Sequence, residues 1–144
     1  MRVGIGLIFG AVVALAGPAV AQQWDGDAIP LSLSGVVGDP KNGRVLVIGR
    51  QTGLCVLCHS GPFPNVPSQG NLAPDLTASV AGLSEGQLRA RLVDPSRSNP
   101  ATIMPAYFRT DHLQRVAVSH AGKTLLTAQE IEDIVSFLMS LKTP

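Results

Sequence analysis

Large side chains are scarce in this chain: its 144 residues include one Trp, one Tyr and four Phe. Cysteine is scarcer still, at two residues, which excludes a framework of several disulfides. Neither sign of charge prevails. Eleven Lys and Arg stand against ten Asp and Glu, a formal net charge of +1, and no basic run suggests a nucleic-acid surface. Strand-helix-strand alternation is missing too, which removes the βαβ frame of a thioredoxin-like redox protein. The shortage of aromatics has the sharpest consequence. A domain of this length draws much of its stability from whatever apolar area it can bury, and few large side chains leave that need open to a large apolar group of another kind.

What is present begins at the N-terminus. Met1-Arg2, an apolar run from Val3 to about Ala16, Gly17-Pro18 and Ala19-Val20-Ala21 follow the plan of an export signal: a short charged region, an apolar centre and an A-x-A cleavage site. Removal of residues 1–21 is expected. The run is too short to span a bilayer comfortably, so a retained membrane anchor is the lesser reading. Arg2 would leave with the signal, and the ten remaining basic side chains then equal the ten acidic ones. The length predicts a single domain.

Both cysteines fall in Cys55-Val56-Leu57-Cys58-His59. C-x-x-C-H is the attachment sequence of a c-type haem. Two thiols at this spacing can form thioethers with the vinyl groups on one edge of a porphyrin, and His59 then lies under the iron as proximal ligand. A redox dithiol, an exported disulfide and a metal site are the alternatives. A structural zinc site wants four Cys or His ligands, and His112 and His120 lack companion spacing. One covalent haem c would also supply the missing apolar surface. Because bacterial c-type haem is attached outside the cytoplasm, the motif and the export signal agree on a periplasmic protein.

Residues 22–38 show no sustained period and contain Gly, Pro and Ser, which predicts an extended, arm-like segment ahead of a domain spanning 39–144. Asp39-Pro40 reads as N-cap and N1 of a helix through about Gly49, with Val45 and Ile48 among its apolar positions. Gly43 lies within it. Either a second helix must approach closely there, or the glycine is a plain weak point costing about 1 kcal/mol relative to Ala. Pro62, Pro64, Pro67 and Pro74 make 61–75 a loop. Ser84-Glu85-Gly86-Gln87 has the form of a capping box and opens a short helix that Asp94-Pro95 ends. Pro95 to Pro105 is a second loop, and Leu113 to Leu126 suggests a small β-hairpin. The clearest element is C-terminal. Thr127-Ala128-Gln129-Glu130 is another capping box, followed by Ile131, Ile134, Val135 and Leu138 at i, i+3, i+4 and i+7, with Phe137 and Leu141 widening the stripe.

A six-coordinate haem needs a second axial ligand. Met104 sits on a loop stiffened by Pro100 and Pro105, where a thioether can face the iron opposite His59. Met139 falls in the C-terminal helix, where Met usually fills core, and His112 and His120 read as exposed loop residues. Met104 is therefore favoured. A soft thioether favours reduced iron and raises the potential, which suits electron transfer and leaves no open position for oxygen.

A helix running into C-x-x-C-H, a Pro-containing loop, a Met on a Pro-flanked loop and a terminal amphipathic helix together resemble class I cytochromes c. Such a fold is all-α, with N- and C-terminal helices packed around the haem; here the hairpin would be an insertion. In that family the backbone carbonyl of a proline accepts a hydrogen bond from the proximal histidine, and Asn71-Leu72-Ala73-Pro74-Asp75-Leu76 matches the segment, so the resemblance implies Pro74 for this role. Gly61-Pro62-Phe63-Pro64, Gln69 to Leu76, Glu85 to Arg89 and Val93 to Arg109 are similar to the SoxX subunits of periplasmic SoxAX cytochromes. That resemblance implies a heterodimer with a SoxA-like cytochrome, which joins thiosulfate oxidatively to a cysteine of a SoxYZ-like carrier protein. The SoxA-like partner would hold the catalytic cysteine-ligated haem, and this chain, with no catalytic residue of its own, would pass electrons to a downstream cytochrome. Both cysteines are committed to attachment, leaving no thiol for sulfur transfer. A freely diffusing electron shuttle is the competing reading. Val56, Leu57, Pro62, Phe63 and Pro64 near the motif, with Trp24 from the N-terminal segment, suggest instead a lasting apolar interface.

Overall fold

The computed structural model describes residues 22–142, so the expected export signal lies outside the described residues. Helix α1, Pro40–Ile48, starts as its first residues require: Asp39 accepts the Lys41 N–H at 2.8 Å, and Pro40 sits where a missing N–H costs nothing. Its buried stripe is Gly43, Leu46 and Val47 at i, i+3, i+4, with Ile48 packed partly against the core. Val45, expected among the apolar positions, is 61% exposed and faces away.

The short α2, Leu76–Val80, is capped by Asp75 and was not foreseen from the sequence, because five residues are too few to show a period. Both capping boxes form. Ser84 and Gln87 close the first turn of α3, Glu85–Val93, while Thr127 and Glu130 close that of α4, Ala128–Ser140. On α4 the stripe Ile131, Ile134, Val135, Phe137 and Leu138 is buried, and it packs against α1 and α3.

Gly43 marks where α1 meets α4. A Cβ there would lie 1.9 Å from the Asp133 carbonyl oxygen and 2.9 Å from the Phe137 Cβ, so close helix approach is the reason for the glycine. Phe137 in turn stacks on Phe63 at 6.0 Å between ring centroids, joining the loop after the cysteines to this helix pair.

Residues 22–38 form no helix, but neither do they stand off as an arm. Ile29 is buried and its N–H bonds to Gly86 O at 2.9 Å, on the first turn of α3. Arg89 of α3, 1% exposed, donates to Ile29 O at 2.7 Å and forks onto Glu132 of α4, with Nε to Oε1 and Nη2 to Oε2 both at 2.8 Å. Glu132 Oε1 also accepts the Leu33 N–H at 2.8 Å. One buried ion pair thus ties the N-terminal segment to two helices. Burial opposes the Arg89 charge, but Glu132 and Glu85 together outweigh it and hold the guanidinium protonated beyond its usual range. The neighbouring Asp133 accepts from Asp39 N and Asn42 Nδ2, bracing the start of α1.

The hairpin suggested for Leu113 to Leu126 is not formed. Among the described residues no strand is present; this stretch is turns around one 3-10 turn, Val118–His120. The physical reason is that the side chains before its last residues have no face to bury: Val118 is 94% exposed, and burial is reached at Leu126. Arg115 also takes a left-handed backbone conformation, with φ of 55°, which interrupts the extended run near its start. No helix among the described residues is long and apolar enough to cross a membrane.

Candidate haem site

Between α1, α2, α3, α4 and the two proline-rich loops lies a cavity of about 450 Å³. Its walls are mainly aliphatic, including Val47 of α1, Leu76 and Val80 of α2, Leu88 and Leu92 of α3, and Ile134 and Leu138 of α4. Among the described residues, Arg91 is the one Arg or Lys side chain lining it. This is the volume class and chemistry of a site for a largely apolar cofactor.

Cys55, Cys58 and His59 line one part of that cavity. Leu54, at φ 60°, turns the chain into a single 3-10 turn, Cys55–Leu57, after which His59 N–H bonds back to Cys55 O at 2.8 Å. Both cysteines are free thiols. Burial pushes the Cys55 thiol up to about 11. Among the described residues no three His, Cys, Asp or Glu side chains gather as a metal cluster.

His59 Nδ1 lies 2.6 Å from Pro74 O. A carbonyl can only accept, so Nδ1 carries the proton and Nε2 keeps its lone pair for a ligand bond. The Pro74 peptide is itself fastened on both sides to the cysteine segment. Ala73 N–H bonds to Cys58 O and Leu76 N–H to Ser60 O, each at 2.9 Å, and Ser60 Oγ donates to Asp75 at 2.9 Å. Those hydroxyl bonds, from Thr77 and Ser60, hold the Asp75 carboxyl below its ordinary range.

Of the four candidates for a second axial ligand, Met104 alone lines the cavity. Its loop is ordered by a turn in which Thr102 N–H bonds to Asn99 O at 3.0 Å and Met104 N–H to Thr102 Oγ1 at 3.1 Å. Met139 packs against the core from α4, and His112 and His120 are exposed. The structure thus brings Cys55, Cys58, His59, Pro74 and Met104 to one cavity. Arg89 and Tyr107 were not singled out from the sequence. Tyr107 is buried at the cavity wall, its hydroxyl donating to Gly53 O at 2.6 Å, and burial beside the Cys55 sulfur pushes the phenol pKa up.

The expected apolar rim needs correcting. Val56 and Phe63 are buried, Phe63 at 1% exposure, and belong to the core because the loop folds Phe63 back onto Phe137. Leu72 and Ile103, which border the cavity, are exposed instead, with Leu57 nearby in sequence to Cys58. Trp24 is spent locally, with the Arg97 guanidinium 4.0 Å above its ring.

Helices at either end of the domain, a C-x-x-C-H turn and an apolar cavity shared by His59 and Met104 define a class I cytochrome c fold. No family model and no curated protein sequence matches the chain. Among solved structures, the crystal structure of SoxXA from P. pantotrophus matches with a TM-score of 0.74 and 33% identity, covering 81% of this chain and 90% of that one. The chain belongs to the SoxX family of cytochrome c subunits.

Proposed function

We propose that this chain carries one haem c, bound through Cys55 and Cys58, with His59 and Met104 as axial ligands, and acts as the electron-transfer subunit of a periplasmic SoxXA-type complex. The observation that carries the ligand set is the gathering of both thiols, the Pro74-oriented His59 and Met104 around one apolar cavity. When bound, the haem supplies a one-electron redox centre whose thioether ligand favours ferrous iron. The chain's own residues do the rest. Pro74 O fixes the His59 tautomer, the aliphatic walls exclude water, and the loop from Asn99 to Tyr107 presents the thioether.

A SoxA-like cytochrome is the expected partner, with a SoxYZ-like carrier protein and a downstream cytochrome acting in turn. Neither cysteine is available for sulfur transfer once the haem is attached, so the oxidative joining of thiosulfate to a carrier cysteine takes place on the partner. Exposed Leu57, Leu72 and Ile103 supply apolar area beside the cavity for such a partner. A lasting interface needs at least about 1,000 Å², so other surfaces must contribute.

Ligation is tested with Met104→Ala and Met139→Leu. The first should keep the haem covalently bound yet lose the weak long-wavelength sulfur-to-ferric-iron band and show a lower potential; the second should change neither. An unchanged spectrum in the Met104 variant refutes the assignment. For the role, co-expression with a SoxA-like protein should yield a one-to-one complex whose haem is reduced by thiosulfate only when the carrier is present. Rapid reduction of the isolated subunit by unrelated donors, with no co-elution at micromolar concentration, would make it a free shuttle.

A further inference from the structure

Tyr107 follows Met104 by three residues and is fastened at every polar atom. Its N–H bonds to Leu92 O of α3 at 3.0 Å, and its carbonyl accepts from both Leu125 N–H and Leu126 N–H at 2.9 and 3.1 Å. The hydroxyl reaches across to Gly53 O at 2.6 Å, two residues before Cys55. Gly53 is wedged against the end of α1, where a Cβ would lie 2.3 Å from Leu46 O, so its carbonyl sits on a rigid support. Cys55 Sγ donates to the same carbonyl at 3.3 Å.

We propose that Tyr107 is a positioning residue that locks the Met104 loop to the haem-attachment turn through the Gly53 carbonyl. This rests on the ligation by Met104 argued above. Attachment strengthens the case. Addition of the Cys55 thiol across a vinyl group places sulfur on one carbon and hydrogen on the other, needing no oxidant, and it removes the S–H donor. From then on the Tyr107 hydroxyl is, among the described residues, the one side-chain donor to Gly53 O. A loop whose methionine must stay on the iron is thereby anchored to the segment that holds the porphyrin edge. A buried carbonyl deprived of its donor raises the free energy of the closed state, so loss of this bond favours conformations in which Met104 leaves the iron.

The test is imidazole titration of the ferric holoprotein, since imidazole binds where Met104 has left. Tyr107→Phe keeps the ring and should raise the imidazole affinity about tenfold, equal to about 1.4 kcal/mol. A purely structural role would lower the unfolding midpoint and leave that affinity within twofold of the parent, which overturns the proposal. Tyr107 is the chain's single tyrosine, so global 3-fluorotyrosine labelling supplies a second arm that preserves ring and hydroxyl. The more acidic phenol donates more strongly and should weaken imidazole binding; unaltered binding counts against the proposal, and this arm decides if the Phe variant does not fold. Met104→Ala separates the two readings. If it retains the long-wavelength band, the ligation itself is wrong; if it loses the band while Tyr107→Phe behaves as the parent, only the positioning role fails.

Discussion

Arg89→Met is the perturbation with the largest calculable effect on this fold. It removes the two short bonds to Glu132 and the bond to Ile29 O, and it leaves a carboxylate that is 4% exposed with the Leu33 N–H as its remaining partner. The Glu85 contact at 2.6 Å adds little, because Glu85 is 59% exposed and solvent screens the pair. Breaking a buried pair from one side costs about 3–5 kcal/mol, chiefly because one charge stays behind unpaired. Arg89→Met with Glu132→Leu removes both charges, and the cost should then fall below that of either single change. The coupling should be about 2 kcal/mol or more, against about 0.5 kcal/mol for independent sites. Denaturant unfolding of the holoprotein, followed by helix dichroism, measures all three variants. Limited proteolysis supplies a local readout: the single variant should be cut within residues 22–38, which the pair holds down. A single-variant cost under about 1 kcal/mol, or additive effects, would refute the reasoning.

Gly43→Ala should destabilise by about 2 kcal/mol or more through overpacking, although Gly to Ala inside a helix ordinarily gains up to about 1 kcal/mol; the sign of the change in denaturation midpoint decides. Asp94 and Asp133 resist burial's upward push and titrate below the ordinary range, Asp94 through Ser96 and Arg109, and Asp133 through Asp39 N–H, Asn42 and Gln129. Their contribution is therefore complete above the unfolded carboxylate pKa of about 3.9 and is lost as pH falls through the folded values; thermal scans down the acid range should steepen there, and less so in Asp133→Asn. Cys55→Ser with Cys58→Ser should give a protease-sensitive apoprotein with weakened helix dichroism, since on the proposed attachment the cavity would lose the apolar group that fills it. A stable double variant of native helix content would contradict this.

Local signals in the sequence predicted the helices whose ends carry chemistry. Asp39-Pro40, Ser84 to Gln87 and Thr127 to Glu130 each fix a start through side-chain bonds made within four residues, and all three starts appear in place. The same locality explains the misses. Val45 and Leu46 are adjacent and similarly apolar, and only the approach of α4 at Gly43 decides which of them faces inward. The alternation from Leu113 to Leu126 resembles a hairpin, yet a hairpin needs a face to bury, and the core takes in Leu126 at the end of that stretch while residues 113–123 stay exposed.

Candidate site residues were legible where residue type and spacing are themselves the chemistry. Cys55, Cys58 and His59 are contiguous, and Met104 stood out because prolines flank it. Tyr107 and Arg89 were not, because what gives each its place is a partner far along the chain: Gly53, 54 residues before Tyr107, and Glu132, 43 residues after Arg89. A charged residue set between Leu88 and Leu92 on a short helix, matched by Glu132 inside the Ile131 to Val135 stripe, was the available hint. Each reads singly as a solvated position, and only together do they read as a pair. The chain therefore places its attachment chemistry in a local motif and its rigidity in long-range polar bonds. On the proposed function, varying the motif should change cofactor attachment, whereas varying the bonds should change how firmly the Met104 loop and N-terminal segment are held.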